Sequence, residues 1–199
     1  MKTNKIKAII LLISSIITVN ALAQTNQDEK SNIELKSISP IEKTGYKKLK
    51  RSHWISHTEI IIDATPEQVW NVLCDTKSYP EWNQIIVKMD GRIVDKSSLD
   101  VLFKSGIDAK PKKFHHDTLH VEDGVVFYWS DVFAMGIKDK HSFRVQTTDD
   151  GKTKFIQADQ AKGGATWLFG KTISKRVIEL YPIFNKSLKA EVEKRYPKK

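Results

Sequence analysis

Asp63-Ala64-Thr65-Pro66-Glu67-Gln68-Val69-Trp70-Asn71-Val72-Leu73, followed by Asp75 and then Tyr79-Pro80-Glu81-Trp82-Asn83, is the stretch that decides the fold. Thr65 can accept from the backbone of a helix that begins after it. Pro66 suits the first helical position, and Gln68 can reach back to close a capping box. Val69, Trp70, Val72 and Leu73 give this helix one apolar face. Pro80 limits it, because the residue before a proline resists helical geometry, so a second short helix or turn carries Tyr79, Trp82 and Ile85.

Upstream, alternation begins at His53. Ile55, His57, Glu59 and Ile61 point one way and Ser56, Thr58, Ile60 and Ile62 the other, which predicts a strand. Downstream, turn signals divide the chain into strands over 86–94, 99–105, 113–122, 125–133, 138–147 and 153–161. Asp123-Gly124 and Asp150-Gly151 supply the positive backbone angles of tight hairpins, so a meander is expected. Beyond Gly163-Gly164 the period changes to three or four residues, through Phe169, Ile173, Val177, Leu180, Phe184, Leu188 and Val192, predicting one long amphipathic helix. Pro182 predicts a kink or break near Tyr181. Gly163-Gly164 predicts backbone freedom at the helix start, and the two together suggest a gate.

This order predicts an α+β helix-grip fold: a curved antiparallel sheet of about seven strands wrapped around the C-terminal helix, with two short helices after the first strand. The residues from Ala64 to Leu73, with Asp75 and Tyr79 to Asn83, also resemble the opening of the START-like (SRPBCC) superfamily in its polyketide cyclase/dehydrase and lipid transport branch. Gly91, His141-Ser142-Phe143, Phe184-Asn185, Leu188-Lys189, Glu191 and Glu193 extend the resemblance over Trp54 to Arg195. It implies an elongated cavity between sheet and last helix that takes lipids, sterols or polyketides. The chain departs from the family where an acidic-acidic-aromatic triplet often precedes a glycine in the last strand: here Asp159-Gln160-Ala161 precedes Gly163.

Strand parity selects the residues facing such a cavity. The expected ligand-binding set is Phe103, Leu119, Phe127, Trp129, His141, Phe143, Phe155, Gln157 and Asp159 from the strands, with Trp167, Ile173 and Val177 from the helix. An aromatic cup with few polar groups suits a small molecule. His115 and Asp117, two apart on one strand, form the candidate catalytic pair of a cyclase or dehydratase, with Asp117 orienting the imidazole as a general base; a satisfied polar pair at the cavity mouth, or plain exposure, is the alternative. His115, His116 and His120 do not share a face, so no metal-ligand spacing is met. Phosphate loops, nucleophile elbows and nucleic-acid-binding signatures are missing, and no cofactor is expected.

Lys2, Lys5 and Lys7, the apolar run from Ala8 to Val19 and Ala21-Leu22-Ala23 read as a secretory signal cut before Gln24. Residues 1–23 are thus a signal, 24–52 a linker or extended arm and 53–199 the binding domain, exported to a periplasm or the medium. The formal charge of +9 falls to +6 without the signal lysines. Clusters at Lys47, Lys48, Lys50 and Arg51 and at Lys194, Arg195, Lys198 and Lys199 suit contact with an anionic membrane face. Cys74 is the sole cysteine and reads as a buried, inert thiol. The leading expectation is a non-catalytic carrier or sensor of an apolar small molecule; a cyclase-like enzyme and a membrane- or partner-binding module are the alternatives.

Overall fold

Thr65 caps the first helix as its side chain predicts: the Gln68 backbone N–H donates to Thr65 Oγ1 (3.3 Å), and the Thr65 N–H donates to Gln68 Oε1 (2.9 Å). The structure is a computed structural model that describes residues 44–198; the predicted signal and most of the predicted arm lie outside the described residues. Helix α1 spans Pro66–Cys74, and a 3₁₀ turn leads into α2, Tyr79–Trp82. The long helix α3 runs Thr166–Arg195.

Nine strands are present among the described residues: β1 Thr44–Lys50, β2 His53–Ile62, β3 Ile86–Gly91, β4 Leu99–Phe103, β5 Lys112–His116, β6 Leu119–Glu122, β7 Val126–Phe133, β8 Ile137–Thr147 and β9 Thr153–Lys162. They form an antiparallel sheet in the order β1-β2-β9-β8-β7-β6 and a second sheet β3-β4-β5. The helix-grip architecture is as expected, with more strands than seven for two reasons. The stretch read as an arm ends in β1, which pairs along β2. The stretch 113–122 is two strands, broken at Asp117-Thr118, and its halves belong to different sheets.

Across the large sheet the register stacks inward-facing side chains in rows. Phe127, Phe143 and Gln157 form one row; Trp129, His141 and Asp159 form the next; Asp131, Asp139 and Ala161 form the third. The first row is core. Phe127 stacks on Phe143 with centroids 4.6 Å apart, Trp70 of α1 meets Phe127 edge-on at 6.0 Å, and Phe184 of α3 covers Phe143 at 5.5 Å and Phe155 at 6.1 Å. Burying these five rings supplies on the order of 2–3 kcal/mol each.

Pro182 and Gly163-Gly164 are the two places where α3 is expected to yield. The helix continues through Pro182 without a break, because Leu180, Tyr181 and Phe184, all buried, anchor it on both sides of the proline. Gly163 and Gly164 adopt positive φ (71° and 45°), and Gly164 is in addition a point of close contact. A Cβ on Gly164 would collide with the carbonyl of Met135 and the backbone of Gly136, so two chain segments cross there without room for a side chain.

Candidate functional site

Beyond the packed row, the space between sheet and helix opens into a cavity of about 170 Å³. Its apolar wall is contributed by Ile86, Val101, Phe103, Phe114 and Phe133 from strands and by Ile173 and Val177 from α3; Trp129 separates it from the core. His116, Asp139, His141, Asp159 and Tyr181 supply the polar remainder.

The polar groups form a connected base. The Tyr181 hydroxyl donates to Asp159 Oδ2 at 2.7 Å. Asp139 and Asp159 are diagonal neighbours across β8 and β9 and perturb each other's ionisation. Burial first, then the Asp159 charge, pushes the Asp139 carboxyl well above the carboxylate range, and burial pushes Asp159 up to about 6. Gln157 Nε2 donates to His141 Nε2 at 2.9 Å. That bond needs an unprotonated Nε2, consistent with burial holding His141 well below the ordinary histidine value. The His141 ring lies flat on Tyr181, with centroids 4.5 Å apart. On the opposite wall His116 Nδ1 lies 2.7 Å from Asp131 Oδ2, and its ring stacks on Trp129 at 4.3 Å. Burial lowers the His116 pKa against the pull of Asp131.

Of the residues expected to face a ligand, the structure brings Phe103, Trp129, His141, Asp159, Ile173 and Val177 together around the cavity. Leu119, Phe127, Phe143, Phe155 and Gln157 are buried in the core behind them. They lie on the inward face that parity assigns, but the rows nearest α1 are filled by that helix. Trp167 is 53% exposed and lies outside the cavity, under the Arg51 guanidinium at 5.6 Å. The proposed catalytic pair is also displaced: His115 is half exposed and pairs with Asp100 (2.7 Å) and Asp117 (3.4 Å), and Asp117 is almost wholly exposed. Because the strand breaks after His116, it is His116 that faces inward. Asp139, Tyr181, Phe114 and Phe133 were missed, although Asp139 shares the parity of His141, which marks its face. Cys74 is no nucleophile, its thiol pushed up to about 12 by burial. Among the described residues no group of three or more His, Cys, Asp or Glu side chains could hold a metal ion.

The sequence profile of the family described as polyketide cyclase / dehydrase and lipid transport matches residues 53–193. No curated protein matches the chain in sequence. Among solved structures, it is similar to a START superfamily protein from Mycobacterium smegmatis (18% identity, TM-score 0.54, covering 71% of this chain and 98% of that one). It is similar also to the Zhui aromatase/cyclase from Streptomyces sp. R1128 (14% identity, TM-score 0.56, covering 72% and 95%). A third likeness is to the di-domain ARO/CYC StfQ from the steffimycin biosynthetic pathway (12% identity, TM-score 0.56), of which this chain spans 52% while 73% of its own length is covered. At these identities the likeness is one of fold.

Proposed function

Because the chain belongs to the polyketide cyclase/dehydrase and lipid transport family, we propose that it is a non-catalytic carrier or sensor that seats the ring-sized apolar end of a lipid-, sterol- or polyketide-like molecule between sheet and α3. The observation that carries this reading is an aromatic-walled cavity closed at its base by the Asp139–Asp159–Tyr181 cluster. An apolar cavity of about 150 Å³ is enough for benzene, so a cavity of about 170 Å³ takes one ring, and the rest of a larger ligand must extend past Phe133 and Ile173. A neutral Asp139 carboxyl suits a hydroxyl or carbonyl on that ring and disfavours a carboxylate.

Native mass spectrometry of protein purified from its own host should find a co-purifying ligand. Titration with phenol and toluene, followed by NMR, should find both bound, and Trp129→Ala should weaken them roughly fivefold or more, as loss of a large aromatic contact requires. Unchanged affinity in a folded Trp129→Ala protein would sink the proposal.

A second reading, acid–base chemistry on the bound molecule, is favoured by the His116–Asp131 pair, in which a carboxylate orients an imidazole whose ring forms part of the cavity wall. His116→Gln should then stop conversion of a co-purified compound while leaving phenol binding intact; equal conversion in both proteins would dismiss it. We also propose that the protein is exported, to a periplasm or the medium, with N-terminal sequencing expected to begin at Gln24.

A further inference from the structure

Most of the large apolar side chains that this fold leaves exposed, Ile61 and Val94 apart, belong to segments that meet at one end. Trp167, Leu168 and Phe169 open α3 and stand 53%, 54% and 39% exposed, and Met135, between β7 and β8, is 64% exposed. Short contacts draw their segments together. The Ala165 N–H donates to the Met135 carbonyl (3.1 Å), and the Gly163 N–H donates to the Ser52 carbonyl (2.8 Å), beside the Arg51 guanidinium that lies over Trp167. Arg176 donates to the Ser105 carbonyl, which fastens on the loop carrying half-exposed Ile107. Single exposed apolar residues need no explanation, but a contiguous patch of this kind marks an interaction surface.

Charge identifies the partner. The four segments that build this end, 47–52, 104–113, 132–138 and 162–178, contain thirteen Lys and Arg and one acid, Asp108. Aromatic and aliphatic side chains surrounded by long basic ones match the depth profile of an anionic bilayer, with rings at the headgroup boundary and ammonium groups at the phosphates. We propose that this end of the molecule docks on an anionic lipid bilayer, with Trp167, Leu168, Phe169 and Met135 entering the interface and the surrounding lysines holding lipid phosphates. Phe133 and Ile173, which line the cavity, belong to the same segments, so docking would bring the cavity's rim to the lipid. The proposal stands whatever the cavity holds.

The chain, purified as its host processes it, is sedimented with vesicles of phosphatidylcholine alone or mixed with phosphatidylglycerol, at low and high salt. Binding is expected only with phosphatidylglycerol and should weaken with salt. It should fall roughly fivefold for each lysine removed in Lys171→Gln and Lys175→Gln, and it should be lost in the double substitution Trp167→Ser, Leu168→Ser. Brominated phospholipid should quench tryptophan fluorescence in the native protein and not in Trp167→Phe. All these side chains are exposed, so the variants should melt as the native protein does. Absence of binding to either vesicle, or binding indifferent to these substitutions, overturns the proposal. So does a concentration-dependent dimer that shields Trp167 from acrylamide, which would assign the patch to a second copy of the chain.

Discussion

Burial and the neighbouring Asp159 charge hold the Asp139 carboxyl neutral in the folded chain, whereas in the unfolded chain it ionises above about pH 4. A group whose folded pKa is raised favours the fold fully below its unfolded pKa, and that contribution is lost as pH climbs toward the folded value. Asp139→Asn keeps a polar partner for Asp159 and removes this dependence. Its thermal stability should therefore gain on the native protein steadily from pH 4 to pH 8, as calorimetry at several pH values would show. His141 acts in the opposite direction. Its folded pKa is depressed, so stability is present above about pH 6.5 and is lost as the pH falls and the unfolded chain takes up a proton. His141→Gln should flatten the acid side of the stability curve. His116 was not recognisable from the sequence, whereas Asp139 was open to the parity of His141. The break at Asp117-Thr118 contains no glycine or proline, and a one-residue slip past it exchanges the inward histidine for the outward one.

At the scale of elements, α3 was legible from its period, but the reason it can approach the sheet was not. Gly170 looks like a weak point in a helix; in the structure it is where the Trp54 indole of β2 meets the helix backbone, leaving no space for a Cβ. Gly170→Ala should gain in helix propensity and nonetheless lower stability by roughly 1–3 kcal/mol, since overpacking dominates; denaturant unfolding would measure the net sign. Asn83 holds the other junction that the sequence left unexplained. Its Oδ1 accepts the backbone N–H groups of Ile85 (2.9 Å) and Ile86 (2.8 Å), turning the chain from α2 into β3. Asn83→Ala strands two buried donors and should cost about 2–4 kcal/mol. The capping box of α1, by contrast, is wholly local and was readable in four residues.

For the whole molecule, parity and period sufficed to assign the inward face of β7, β8 and β9 and the stripe of the helix, hence the architecture. How deep the packing reaches along that face depends on which helix covers it, and this is a tertiary fact that no strand records. Trp82 illustrates the packed side. Its ring lies 4.6 Å from Tyr79 and 6.0 Å from Phe184, and its Nε1 donates to Ser78 at 3.0 Å. Trp82→Ala should lower stability by roughly 2–3 kcal/mol, less than a fully buried tryptophan because it is part-buried, while phenol affinity in the folded protein stays unchanged.

The register that sets Phe127 and Phe143 in one row and Asp131 and Asp139 four residues away along the same strands separates two kinds of tolerance to change. A substitution in the aromatic row is felt by α1 and α3 together, whereas one in the acidic row meets the edge of the cavity, where Asp131 pairs with His116 and Asp139 neighbours Asp159. The ligand preference proposed for this scaffold can therefore be redesigned, or can drift between descendants, by exchanging residues at Asp139 and the facing Val177, which both line the cavity, with the rows behind them serving as an unaltered foundation.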